Sequence, residues 1–516
     1  MGNHGIVAAG HRETVEAARL ILEEGGNAFD AALAALCASF VCEPILSSLA
    51  GGGFLLAHDG GQPRVFDFFA QTPIRRRPEN ELDFYPIVAD FGDTRQEFHI
   101  GAASMATPGV AKGLFEVHRA LGTLPLRRIV EPAIELARNG VAMSAFQASI
   151  FRIVGPIYRA EPETRAAFCS SRETDVLIGE GETLRLPDLA DTLEILAIEG
   201  ERLFYEGEIA EMLVDHCDDR GGHLRREDLS GYQVEFRQPL CVHHGGATLF
   251  TNPPPSCGGI LIAFALQLLE SVKIAEQRLA SPEHLGLLAT VMEQTNKARV
   301  ESAIRDLPPE RQSDVLLDPL LLERYRRAVQ GRHASLRGTT HISVVDAAGR
   351  AASLTVSNGE GNGYLIPGTG IMCNNMLGEE DINPHGFHRW PTNQRIASMM
   401  SPTLALWRDG RVTALGSGGS NRIRTAILQV LSNVLDFGMD LGSAVEAPRL
   451  HFENGFLDIE HGFPENIVAA LTRAHPEHRI WQDKSMFFGG AHCAQTGPAG
   501  LHGAGDPRRD GFWARV

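Results

Sequence analysis

At residue 339 the chain changes character. Residues 330–338 are polar, whereas Thr339-Thr340-His341-Ile342-Ser343-Val344-Val345-Asp346 alternates with a two-residue period. Ala347-Ala348-Gly349 reads as a turn, and Arg350 to Ser357 alternates again. Alternating runs rich in β-branched residues around a Gly-containing turn specify an antiparallel hairpin, with Gly349 supplying the left-handed backbone of its three-residue loop. If Asp346 and Arg350 close the turn, Thr339 lies opposite Ser357, and the two hydroxyls are neighbours on one face.

The rest of the chain predicts helices around such strands. Thr14 to Glu24 is amphipathic and stops at Gly25-Gly26. Asn27 reads as the N-cap of an apolar helix from about Ala28 to Cys42, expected between layers. Phe54 to His58 and Val65 to Phe69 read as paired strands around Asp59-Gly60-Gly61. Residues from about 109 to 305 have a mostly helical pattern, punctuated by Pro125, Pro132, Pro156 and Pro162. Asp318 is the expected cap of a helix over 319–329, and Arg422 to Leu435 forms another.

Composition excludes several classes. The 516 residues carry a formal net charge of −17, which lacks the basic footprint of a nucleic-acid binder. No apolar run reaches the roughly 18–20 residues of a membrane span. The opening residues lack an export pattern, so a cytoplasmic location and eight free thiols are expected, with no CxxC pair. His243-His244 and the pair His475 and His478 lack zinc spacing and read as surface histidines, so no metal and no cofactor is expected. Neither a G-x-S-x-G elbow nor a Walker A loop occurs. Length alone suggests about three domains.

Three features make the hairpin mouth a candidate active site. Gly338 precedes Thr339, and Ser357 lies opposite. Gly416-Ser417-Gly418-Gly419-Ser420 follows a strand and precedes a helix, so its N–H groups could hold an oxyanion; a structural turn or a phosphate cradle are the other readings. Pro367 to Asn375 adds a polar turn beside an apolar strand.

These residues resemble the γ-glutamyltransferases (glutathione hydrolases), which are N-terminal nucleophile hydrolases. The resemblance runs over nearly the whole chain: Gly25-Gly26-Asn27-Ala28-Phe29-Asp30, Glu43-Pro44, Gly51-Gly52-Gly53, Thr107-Pro108-Gly109 and Pro253 to Gly259. It continues through Thr339 to Asp346, Pro367 to Asn375, Ser401-Pro402-Thr403, Gly416 to Arg422 and Asp506-Pro507-Arg508. It implies an α+β fold, a four-layer αββα sandwich, made by one precursor that cuts itself between Gly338 and Thr339. Residues 1–338 would form a large subunit and 339–516 a small one, associated as one composite domain, with a dimer of these left open. A Gly before the nucleophile presents no side chain against attack on its carbonyl. Once freed, the Thr339 α-amine, with an ordinary pKa of roughly 8, can serve as general base.

By matching positions, the resemblance makes Thr339 nucleophile and base and Ser357 its hydroxyl partner. It places oxyanion glycines at Gly418 and Gly419, and polar substrate contacts at Asn358, Asn375 and Ser398. Three positions depart from the family's glutamyl clamp. Phe69 stands where an Arg would grip the α-carboxylate; Met376 follows Asn375 where an acidic pair is expected, and acidic residues come only later, at Glu379, Glu380 and Asp381; Met399 replaces a second serine. An apolar ring cannot replace a charge-assisted fork. Either Arg75, Arg76, Arg77 or Arg395, with Glu379 or Asp381, rebuilds the clamp, or the acyl group differs, as in cephalosporin-acylase-like relatives. The expected function is a self-processing amidohydrolase or acyltransferase acting on a small amide. An uncleaved, non-catalytic scaffold is the alternative from another class.

Overall fold

The computed structural model describes residues 3–90, 95–173, 175–318, 321, 322, 325, 339–383, 386–453 and 455–516. Gly338, and with it the predicted cleavage step, lies outside the described residues, as does most of the helix expected over 319–329. Its cap is in place: Asp318 Oδ1 accepts from the Leu321 N–H at 3.1 Å.

The hairpin forms with the expected register. Thr340 pairs with Val356 and Val345 with Ala351, so Thr339 and Ser357 follow at its open end. Gly349 takes φ +80° in the turn. The Asp346 carboxylate accepts from Ala348 N at 2.9 Å and Arg350 N at 3.1 Å, and also from Ala28 N at 3.1 Å. One side chain therefore closes the turn and anchors the start of the apolar helix.

That hairpin is the centre of a seven-stranded sheet. Across it run Phe512–Arg515, Gly5–Ala9, Thr340–Asp346, Ala351–Ser357, Gly52–His58, Arg64–Phe68 and Glu235–Arg237. A six-stranded sheet stacks on it, in the order Gly500–Ala504, Gly490–Gly497, Val412–Gly418, Thr403–Trp407, Ala247–Thr251 and Leu240–His244. Helices Arg12–Glu23 and Ala28–Cys42 cover the outer face of the first sheet, and Cys257–Ser271 with Arg422–Leu435 that of the second. The result is the four-layer αββα sandwich.

Local sequence explains the elements. Asn27 Oδ1 accepts from the Phe29 and Asp30 N–H groups at 2.8 and 2.9 Å, while Asp30 Oδ2 accepts from Asn27 N at 2.9 Å. Losing such a cap costs about 1 kcal/mol. The helix Ala28–Cys42 is buried on every side, as its uninterrupted apolar run requires. Between the sheets the contact is tight and partly polar. A Cβ on Gly416 would come within 2.3 Å of the His341 ring, so only glycine lets the sheets approach there. His341 bonds Thr355 Oγ1 at 2.8 Å and Ser343 Oγ at 2.9 Å, and burial holds its ring well below the usual imidazole range, hence neutral.

The stretch 109–305 is mostly helical, as expected; within it Leu240–His244 and Ala247–Thr251 form a hairpin about Gly245-Gly246, both at positive φ, at the edge of the second sheet. Two expectations are corrected. Pro132 does not interrupt its helix but lies inside Leu126–Asn139, whereas Pro125, Pro156 and Pro162 stand at helix starts. His244 is buried and bonded to Asp436 at 2.8 Å rather than on the surface.

Candidate active site

A small cavity of about 40 Å³ opens where the hairpin ends. Thr339 and Ser357 line it together with Phe69, Met376, Glu379, Asp381, Ser398, Met399 and Ser420. Thr339 is 5 % exposed and Ser357 7 %, so the pair sits at the bottom of an occluded site rather than on a surface. Pairing places them: Ser357 ends the strand beside Thr340, and its Oγ accepts from the Gly359 N–H at 3.1 Å.

The glycine loop meets Thr339 from the opposite sheet. A Cβ on Gly418 would come within 2.0 Å of the Thr339 carbonyl oxygen, so strand Val412–Gly418 approaches that peptide as only glycine permits. Gly419 follows at φ +118°. Ser420 carries the loop to the cavity wall, where its hydroxyl donates to Asp381 Oδ2 at 3.0 Å.

The opposite wall is apolar. Phe69 is 2 % exposed, stacks on Phe54 with ring centroids 5.3 Å apart, and has its backbone pinned: its N–H donates to Asp67 at 3.0 Å, and its carbonyl accepts from Tyr232 OH at 2.7 Å and Arg395 Nη1 at 2.6 Å. Met376 and Glu379 are held by Asn383, whose Nδ2 donates to their carbonyls at 2.9 and 2.7 Å. Ser398 Oγ accepts from Met400 N at 3.0 Å.

Asn358 and Asn375 are near but do not line the cavity. Asn375 Oδ1 accepts from Glu360 N at 2.9 Å, and Asn358 Nδ2 reaches the Met372 carbonyl at 3.5 Å. Both brace the wall; a Cβ on Gly359 would strike Asn375 Oδ1 at 2.0 Å and Glu379 Oε1 at 2.4 Å.

Three of the four arginines considered for a rebuilt clamp are engaged elsewhere, and the fourth, Arg75, is exposed and does not line the cavity. Arg76 donates to the His388 carbonyl at 2.7 Å, and Arg77 pairs with Asp218 at 2.7 Å. Arg395 lies behind Phe69, between Asp67 at 3.3 Å and the Gln233 carbonyl at 2.7 Å. Among the described lining residues the ionisable ones are Glu379 and Asp381.

Two residues near Thr339 had no role in the sequence reading. Glu43 accepts from Thr340 Oγ1 at 2.8 Å, and burial pushes its carboxyl up to about 7. Arg509 donates to the Thr339 carbonyl at 3.3 Å. The only sequence signals were a carboxylate at the end of an apolar helix and a second arginine after Asp506-Pro507-Arg508.

Comparison with known proteins bears on the family and the fold. The family model described as gamma-glutamyltranspeptidase matches residues 14–516. The chain is 31% identical over 533 residues to an acylase ACY 1 proenzyme of Pseudomonas sp. (strain SE83), covering 99% of this chain and 93% of that protein. It is 28% identical to a glutathione hydrolase proenzyme of Bacillus subtilis (strain 168), covering 92% of this chain and 85% of that protein. A crystal structure of cephalosporin acylase from Bacillus halodurans superposes with a TM-score of 0.84 at 23% identity, over 99% of this chain and 96% of that one, a likeness of fold. The chain belongs to the gamma-glutamyltranspeptidase family, the amidohydrolases and acyltransferases of the N-terminal nucleophile hydrolase fold.

Proposed function

We propose that this enzyme is a self-processing amidohydrolase whose nucleophile is Thr339 and whose acyl donor lacks the α-carboxylate of a glutamyl group. The observation that carries the reading is the cavity itself: Thr339 and Ser357 line it together with Phe69, Met376 and Met399, and no Lys or Arg is among its described lining residues.

In the precursor, Thr339 Oγ attacks the Gly338 carbonyl carbon, the C–N bond breaks, and the acyl group moves from nitrogen to oxygen. Water then hydrolyses that ester, leaving a carboxylate on Gly338 and an amine on Thr339. In turnover, the neutral amine takes the Thr339 hydroxyl proton as Oγ attacks the substrate amide. The proton passes to the leaving amine, and water or an acceptor amine resolves the acyl-ester. Gly418 and Gly419, close against the Thr339 peptide, are the candidate oxyanion donors. Ser357 is the candidate hydroxyl partner of the nucleophile.

An α-carboxylate buried beside Phe69 would lose its hydration and gain no guanidinium in exchange, which costs several kcal/mol. A second cavity of about 140 Å³ shares Ile382 with the first; Trp390, Ile396, Leu307 and Pro255 give it an apolar part where an acyl chain could extend, beside Arg395, Gln312 and Gln394. The acylase likeness points the same way. A glutamyl donor is the second reading. Its support is Ser398, Glu379 and Asp381 on the same wall, which suit a donor's polar end.

Denaturing electrophoresis tests the first half: two bands dividing the chain at 338/339 are expected, and a full-length band after long incubation refutes it. A panel of anilides tests the second half. Apolar acyl anilides should outrun the γ-glutamyl anilide, and the reverse order favours the glutamyl reading.

A further inference from the structure

Arg509 approaches the proposed nucleophile from the far end of the sequence. It closes the turn Pro507–Arg509, is 3 % exposed, and its Nη1 donates to the Thr339 carbonyl oxygen at 3.3 Å while Nη2 donates to the Met486 carbonyl at 3.3 Å. Its side chain runs through a slot cut by glycines. A Cβ on Gly490 would come within 2.4 Å of its Cδ, and Cβ atoms on Gly418 and Gly419 would each come within 3.3 Å of a terminal nitrogen. The loop expected to serve an oxyanion therefore also houses a cation. Burial pulls that guanidinium down to about 10, so it stays charged at neutral pH.

A guanidinium bonded to a residue's carbonyl oxygen stands about 6–7 Å from the same residue's α-nitrogen. At an effective dielectric of about 20, that spacing disfavours an ammonium on the α-nitrogen. Carboxylates oppose the effect. Glu43, Glu360 and Asp506 face Arg509 from the helix end, the loop after the hairpin and the C-terminal turn. Asp510 faces Glu43, and Glu379 and Asp381 face the cavity. The net displacement is on the order of one pH unit.

Resting on the reading of Thr339 as nucleophile, we propose that Arg509 is a positioning residue: it holds the Thr339 peptide at the hairpin mouth and biases the α-amine released by cleavage toward its neutral, proton-accepting form.

The test is the pH profile of kcat/KM for wild type, Arg509→Lys and Arg509→Gln, with processing followed on denaturing gels. Removing the cation should raise the amine pKa. The acidic limb of Arg509→Gln should therefore move up by about one pH unit, with activity at pH 7 down about tenfold and recovering on the alkaline side. Arg509→Lys should keep the wild-type limb. The same pair of profiles in a Glu43→Gln background removes the other group that titrates near neutrality, and the displacement should persist there. A uniform loss across pH with an unmoved limb, or a displacement that vanishes with Glu43, overturns the proposal. If Arg509→Gln folds with the wild-type Tm yet stays uncut, a cut Arg509→Lys with the wild-type limb supports the positioning role, and an uncut Arg509→Lys of wild-type Tm overturns it. Thr339→Ala separates the two readings: cleavage and turnover surviving in that variant refute the nucleophile assignment. An inert Thr339→Ala beside an unmoved Arg509→Gln profile refutes only the role given to Arg509.

Discussion

Thr339, Ser357 and Gly418 stand at the ends of strands, whereas Phe69, Glu379 and Met399 stand on irregular chain and Met376 on a single 3-10 turn. The first group is held by ladders: each strand pairs on both sides, and the two sheets meet through a glycine too close to its neighbour to be replaced. The second group is held by point contacts, with Arg395 and Tyr232 on the Phe69 carbonyl and Asn383 on those of Met376 and Glu379. A ladder shares displacement among many hydrogen bonds, so its geometry tolerates little local change. A clamped loop exchanges side chains without moving its neighbours. Under the proposed function, the difference would let the acyl-transfer machinery stay fixed while the side chains of the acyl pocket change.

The sharpest break between the two sides should come from Thr339→Ala. Both self-cleavage and anilide turnover should fall below detection at an unchanged Tm; residual turnover above the buffer rate would remove the strand side from the chemistry. Gly418→Ala follows. Its Cβ cannot sit 2.0 Å from the Thr339 carbonyl oxygen, so the strand must shift, and misplacement by about 1 Å should cost on the order of 100-fold in kcat. Steady-state kinetics on the best anilide would read it, and near-normal kcat would show that the sheets are not locked together here.

Glu43→Gln probes the same side through stability. The folded carboxyl is held near 7, above its ordinary 4.5, because burial disfavours its charge. Wild-type stability should therefore be fullest below about 4.5 and decline as pH rises through about 7, from this group alone by about 3 kcal/mol. Glu43→Gln should flatten that decline in denaturant titrations from pH 4 to 8; an identical slope in both proteins would contradict it. Phe69→Leu should have the smallest effect. Processing should stay intact while the ranking of acyl anilides shifts by about tenfold, the scale of a changed apolar contact. Lost processing would mean that the wall and the machinery are not separable.

Much of the strand side was legible in sequence because its signals are local. Alternation, the Gly349 turn and the Asn27 cap fix which residues pair and where the apolar helix begins, and each was read from neighbours within a few positions. The strands Leu240–His244 and Ala247–Thr251 were missed because each is short, so burial alternates over only a few residues. Pro132 misled because its missing N–H can be borne inside a helix packed on two others. On the wall side, the change at Phe69 was readable, but the fate of the neighbouring arginines was not. Arg76, Arg77 and Arg395 are equivalent as letters, and only packing turns them toward His388, Asp218 and Asp67.

By itself the sequence determined the hairpin and its register, because covalent neighbours and two-residue periodicity decide those without reference to distant chain; the family was legible as a resemblance carried by motifs spread over nearly the whole chain. The tertiary structure decided what surrounds the first residue of that hairpin. Glu43, Gly418 and Arg509 are hundreds of residues apart in part, yet all lie within contact of Thr339 or Thr340. Contacts of that kind arise only when two sheets close on each other, and the electrostatics around Thr339 depends on them.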